Sequence, residues 1–135
     1  MNIPDNFQVI NHSLIHHKLG LIRDKNTGPK EFRELVTEAT MLLAYEATKY
    51  LSLNDAEVQT PITTAQVKTV AVSDIVLVPI IRAGLGMVEG MLKLIPNARV
   101  GYVGMERDHE THQPVDYYFK IPNQAHKRTF IVLDP

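Results

Sequence analysis

Val76-Leu-Val-Pro-Ile-Ile-Arg82-Ala-Gly-Leu-Gly86 sets an arginine and two glycines directly after an apolar run. A run of this length has the pattern of a parallel strand buried on both faces. The residues that follow then form a strand-to-helix loop, and in open α/β sheets ligands bind beyond the carboxyl ends of the strands. Glycine lets backbone N–H groups approach a ligand closely. The N-terminus of the next helix favours anions, and arginine adds a planar fork of donors matched to phosphate oxygens. The chemistry this combination suits is the cradling of a phosphate or pyrophosphate. A tight turn whose arginine forms a surface ion pair fits the same residues, because glycines are common in such loops.

Two further strand ends carry charge. Gly104-Met-Glu-Arg107-Asp108 closes a second apolar segment, and a basic residue there can enter the same crevice as Arg82. Its plainer reading is a solvated charged turn. Thr129-Phe-Ile-Val-Leu-Asp-Pro135 reads as another buried strand, this one delivering an acid. Asp134 can accept hydrogen bonds from ribose hydroxyls or hold a magnesium-bound water. It can equally cap a following helix, with Pro135 at the first helical position. The sequence stops where that loop and helix are expected, so it reads as part of a domain cut where its chemistry begins.

Two phosphate-binding motifs fail on inspection. A P-loop needs a lysine and a hydroxyl after its last glycine, and none is present. A dinucleotide fingerprint matches at Gly84 and Gly86 but has Glu89 at the third position, where bulk crowds helix–strand packing. Glu106 lies near the spacing of a ribose-binding acid, which keeps a dinucleotide-binding domain as an alternative. His12 and His16 share a face if the first helix begins early, and His109 and His112 flank a turn. Neither pair has a third ligand at recognisable spacing, so they read as solvated and no metal site is expected from them. Tyr117-Tyr118-Phe119 reads as hairpin packing, since no basic stripe accompanies it.

These residues need a scaffold, and 135 residues allow one domain with a real core. The net charge of -1 gives no basic field for nucleic acid or an anionic membrane. With no cysteine, disulfides and thiolate metal sites are excluded, which fits a reducing cytoplasm. No secretory signal and no membrane-spanning stretch is visible.

Residues 1–12 read as an extended arm. A helix follows from Ser13, with Asn11 or Ser13 as its cap. The clearest helix runs from Pro29 to about Tyr50, with Phe32, Leu35, Val36, Ala39, Leu43 and Ala47 on one stripe. Short strands are expected at Val58–Ile62 and Val67–Val72, with Pro61 on an edge. Then come the buried strand Ile75–Ile81, a loop over Arg82–Gly86, a helix from Met87 to Ile95 and a strand from Arg99 to Met105. Val115–Ile121 reads as the return strand of a hairpin. The order implies an α/β fold, a parallel sheet flanked by helices with an antiparallel excursion.

The chain resembles the uracil phosphoribosyltransferases. The likeness rests on His16-His-Lys-Leu-Gly-Leu-Ile-Arg-Asp-Lys-Asn-Thr27, Phe32-Arg-Glu-Leu35, Leu42-Leu-Ala-Tyr-Glu-Ala47, Val78-Pro-Ile-Ile-Arg-Ala-Gly-Leu-Gly-Met87 and Ile131-Val-Leu-Asp-Pro135. It implies a type I phosphoribosyltransferase fold and a single domain over 1–135. It implies a glycosyltransferase joining uracil to phosphoribosyl pyrophosphate (PRPP), giving UMP and pyrophosphate, with Mg2+ bound through PRPP. Arg82, Ala83 and Gly84 then match a pyrophosphate loop, Arg107 a second PRPP-contacting arginine, and Asp134 and Pro135 the opening of the PRPP loop. Asp108 to Pro122 matches a mobile hairpin beside the site. The family continues after Asp-Pro with a Thr-Gly-Gly phosphate loop and a segment that recognises uracil. Neither is in this sequence, so an inactive, self-associating homo-oligomer holding the pyrophosphate half of the site is expected. A nucleotide-sensing or RNA-binding regulator on the same fold stands as an alternative.

Overall fold

The computed structural model describes residues 6–108, 110–111 and 113–135, with Arg107 described through its backbone. The expectations for His109 and His112, for the Arg107 side chain and for the first five residues of the extended arm lie outside the described residues.

Among the described residues, three α-helices and seven strands build the fold: α1 Ser13–Ile22, α2 Pro29–Ala47, β1 Leu53–Gln59, β2 Thr64–Val70, β3 Ile75–Ile81, α3 Leu85–Leu94, β4 Arg99–Val100, β5 Tyr102–Arg107, β6 Pro114–Lys120 and β7 Thr129–Leu133. The strand β3 is the axis. Its residues 76 and 77 pair in parallel with Arg99 and Val100 of β4 and, on the opposite edge, with Phe130 and Ile131 of β7. Further along, Ile80 and Ile81 pair with Val103 and Gly104 of β5. The offset between partners is unchanged from β4 to β5, so the two are one ribbon. Pro79 explains the break between them. The Gly101 N–H donates to the Leu77 carbonyl. The next rung of a parallel ladder runs from the N–H of residue 79 to the carbonyl of residue 101, and proline has no N–H. The ribbon continues as an antiparallel hairpin, β5 against β6.

The apolar run of β3 forms a strand because burial on both faces rewards it: Ile75, Val76, Leu77 and Val78 are all buried. Leu77 and Leu133 share one core with Ala44 of α2 and Met91 of α3. The sheet therefore holds β3 and β7 against the two helices that must position the loop between β3 and α3. Helices α2 and α3 cross closely at Gly90, where a Cβ would fall 2.5 Å from the Thr37 carbonyl and 2.7 Å from the Thr40 Cβ. A Lys18–Glu38 ion pair of 2.5 Å ties α1 to α2.

Local details depart from the sequence reading. The cap of α1 is His12, whose Nδ1 accepts from the Leu14 N–H at 3.2 Å, and neither Asn11 nor Ser13 fills that role. His16 Nε2 lies 3.0 Å from the Asn11 side chain. Helix α2 stops at Ala47, three residues short of Tyr50, where the Thr48 hydroxyl and N–H both bond back to the Ala44 carbonyl. The strands β1 and β2 begin earlier than expected and form a separate two-stranded ribbon, with Pro61 in the turn between them. Nearly every β1 side chain is exposed, so no one-sided apolar alternation marks the strand. Helix α3 starts at Leu85, which shortens the preceding turn to Arg82–Gly84.

Candidate functional site

The site gathers at the carboxyl ends of β3, β5 and β7. Pro79 pairs with Leu133, so Asp134 stands level with Ile80 on the neighbouring strand, about 4.8 Å away across the ladder. Gly104 pairs with Ile81 on the other edge. Arg82 follows immediately. The ends of β3 and β7 thus lie side by side, where ligands bind in open parallel sheets, while β5 runs on past the end of β3 to Arg107.

The Arg82–Gly84 turn does not project away from the sheet. The Gly84 N–H donates to the Ile80 carbonyl at 2.9 Å, folding the turn back over the end of β3. A Cβ on Gly84 would lie 2.2 Å from the Leu133 carbonyl oxygen, 2.7 Å from the Ile80 nitrogen and 2.9 Å from the Ile80 oxygen. Only glycine permits that approach. The loop after β3 and the end of β7 are therefore pressed together, Arg82 lying two residues before Gly84 and Asp134 one residue after Leu133. Gly86 has no such duty: a Cβ there meets only Val36 Cγ1 at 3.6 Å. The sequence offers two equivalent glycines and the packing selects one. A cis peptide joins Ile81 to Arg82.

Donors are distributed unevenly around the turn. The N–H groups of Leu85, Gly86 and Met87 bond to the carbonyls of Arg82, Ala83 and Gly84. Among the described residues, the Arg82 and Ala83 amides have no backbone partner. Arg82 and Ala83 are exposed and Gly84 is buried. The first turn of α3 contains no acidic residue to neutralise the positive end of the helix. Among the described residues Arg82 is in no ion pair. An exposed guanidinium, two unengaged amides and a helix N-terminus form an anion-binding arrangement.

Asp134 and Pro135 are exposed beyond β7. Arg107 is the last residue of β5, three positions past the rung at Gly104, hence roughly 10 Å further along the strand direction. In the turn that follows, the Asp108 carboxylate accepts from the Thr111 N–H at 2.7 Å, the Thr111 hydroxyl at 2.9 Å and the Glu110 N–H at 3.0 Å. These bonds, led by that from the Thr111 backbone, hold the Asp108 carboxyl below its ordinary value.

The sequence reading assigns no close-packing role to Gly90 or Gly104. Both had a local signal. Gly90 lies four residues after Gly86, on one helical face, and Gly104 is a glycine within a strand, which marks a bulge or a close approach.

The sequence model of the family described as uracil phosphoribosyltransferase matches residues 9–135. This chain belongs to the uracil phosphoribosyltransferase family. It is 58% identical over 127 residues to a uracil phosphoribosyltransferase of Alkaliphilus oremlandii, a match covering 94% of this chain and 61% of that protein. It is 55% identical over 130 residues to one of Listeria welshimeri, covering 96% and 62%. A solved protein of Aquifex aeolicus superposes with a TM-score of 0.87 at 36% identity, over 93% of this chain and 60% of that one. The chain thus spans about three fifths of the length of the uracil phosphoribosyltransferases it matches. The mixed sheet with its helices and antiparallel hairpin is the phosphoribosyltransferase fold expected from the sequence.

Proposed function

We propose that the protein transfers the phosphoribosyl group of PRPP to uracil, giving UMP and pyrophosphate, and that the Arg82–Gly84 turn holds the departing pyrophosphate. The observation that supports this reading is the close approach of Gly84 to the Leu133 carbonyl, which brings the turn that carries Arg82 next to the strand end that carries Asp134. As the bond from the anomeric carbon to pyrophosphate breaks, negative charge builds on the leaving group. Arg82 and the Arg82 and Ala83 amides stabilise that charge without reorganising, the largest effect such sites supply. Asp134 orients the ribose hydroxyls with Pro135 beside it, and Arg107 meets PRPP from β5.

Mg2+ fits this donor set, because it binds through one or two carboxylates with substrate phosphates, and Asp134 offers a carboxylate at the end of β7. When bound, it neutralises charge on the pyrophosphate. We read the protein as one that acts on PRPP and uracil in the cytoplasm as a homo-oligomer, without nucleic acid or membrane partners. Among the described residues no helix is long and apolar enough to cross a membrane.

The test is uracil-dependent release of pyrophosphate from PRPP by a protein of the relatives' full length that carries these residues, with and without Arg82→Ala. Loss of one charged contact to a developing anion lowers turnover by about two to three decades. Release at the normal rate in Arg82→Ala would remove Arg82 from the mechanism.

A further inference from the structure

Gly104 and Tyr117 mark the point at which the β5–β6 hairpin leaves the sheet. Strand β5 pairs with β3 only as far as Ile81 and Gly104. Met105–Arg107, opposite Pro114–Asp116, run on past the end of β3 as a two-stranded stem. At the same point the register of the hairpin shifts. Gly104 opposes Tyr118 and Met105 opposes Asp116, which leaves Tyr117 without a partner. An unpaired residue of this kind is a β-bulge, which bends the strand that carries it and re-aims its side chains.

Here the bulge turns Tyr117 onto β5. A Cβ on Gly104 would lie 2.6 Å from Tyr117 Cε2, 2.7 Å from Tyr117 Cζ and 2.9 Å from Tyr118 Cβ. The ring occupies the space that any side chain at 104 would fill. Gly104 in turn sits beside Ile81, the residue before Arg82. The ring is half exposed and β6 is exposed along its whole length, so Tyr117 adds little to the buried core. What it does add is an angle, because a stem that has no third strand beyond Gly104 among the described residues takes its direction from the packing at its base.

We infer that Tyr117 is a positioning residue for the PRPP site: seated on Gly104, it sets the direction in which the β5–β6 stem leaves the sheet, and with it the place of Arg107 relative to the Arg82 turn. The inference rests on the proposed contact of Arg107 with PRPP. A misplacement of about 1 Å at a group far from the chemistry can cost two decades, so a shift of the stem is read in PRPP affinity before it is read in stability.

The chain has no cysteine, so nitroxides on Val115→Cys and Lys93→Cys would be its only labels. Their separation is measured by pulsed electron paramagnetic resonance, with unlabelled chain added to dilute pairs between copies. PRPP affinity is measured by calorimetry in the same Tyr117 backgrounds. The expected result is a displaced or broadened distance and PRPP binding weakened roughly ten- to a hundredfold in Tyr117→Ala, with both restored in Tyr117→Phe. Tyr117→Leu keeps apolar bulk and guards against a variant that fails to fold; it is expected to fall with Tyr117→Ala. An unchanged distance in Tyr117→Ala overturns the inference, as does a displaced stem with unchanged PRPP affinity. No PRPP binding by the unsubstituted protein overturns the proposed reaction and this role together, an outcome distinct from equal binding by Tyr117→Ala and the unsubstituted chain.

Discussion

Replacing Gly84 by alanine tests the geometry that joins the two halves of the site. The added carbon would fall 2.2 Å from the Leu133 carbonyl oxygen, whereas ordinary contact begins at 3.4 Å, so the clash is 3.4 − 2.2 = 1.2 Å deep. Both obstacles, Leu133 and Ile80, are backbone atoms in paired strands, and neither can swing aside as a side chain would. The turn itself must lift. Overpacking of this kind costs about 1–3 kcal/mol, which lowers the melting temperature of a domain this size by roughly 3–15 °C. The displacement separates Arg82 from Asp134 by about an ångström, enough to weaken PRPP binding by roughly a hundredfold. Gly86→Ala is the control, since its Cβ meets a single side-chain carbon at 3.6 Å. It is expected to bind normally and to be as stable or slightly more so, because alanine exceeds glycine in a helix by about 0.5–1 kcal/mol. Thermal unfolding and PRPP calorimetry on the two variants decide the matter. If Gly84→Ala matches Gly86→Ala in both, the pressed contact is not what holds the site together.

Other outcomes follow from the same structure. Gly90→Ala pushes α3 away from Thr37 and Thr40 and should cost about 1–3 kcal/mol in chemical denaturation; a neutral result would mean the helices separate freely. Asp108→Ala should speed hydrogen exchange at the Thr111 amide near neutral pH, because that carboxylate accepts three bonds. Its folded pKa lies below the unfolded value. The turn is thus stabilised above about pH 4 and loses that contribution as pH falls through the depressed value. Exchange at Thr111 that ignores both the substitution and the pH would contradict this.

How much of this was legible in the sequence depended on burial. The run from Ile75 to Ile81 announced a central strand because it is covered on both faces, and the Arg82 turn announced itself through glycine and a change of period. Thr129–Leu133 was readable for the same reason. The ribbon from Leu53 to Val70 was misplaced by several residues because both of its faces meet water, which erases the alternation that marks a half-buried strand. The cap at His12 escaped because imidazole is not among the preferred capping groups. The unequal duties of Gly84 and Gly86 were invisible, since they depend on Leu133, a residue forty-seven or more positions away. The bulge at Tyr117 was hidden likewise, in a register that only the partner strand defines.

The central claim is that the Arg82 turn grips a diphosphate. Calorimetric titration of the protein with PRPP in the presence of Mg2+, beside the same titration of Arg82→Ala, tests it most directly. Saturable binding is expected, falling by roughly a hundredfold or more in the variant while its melting temperature is unchanged. Equal affinity for PRPP in the two proteins would contradict it.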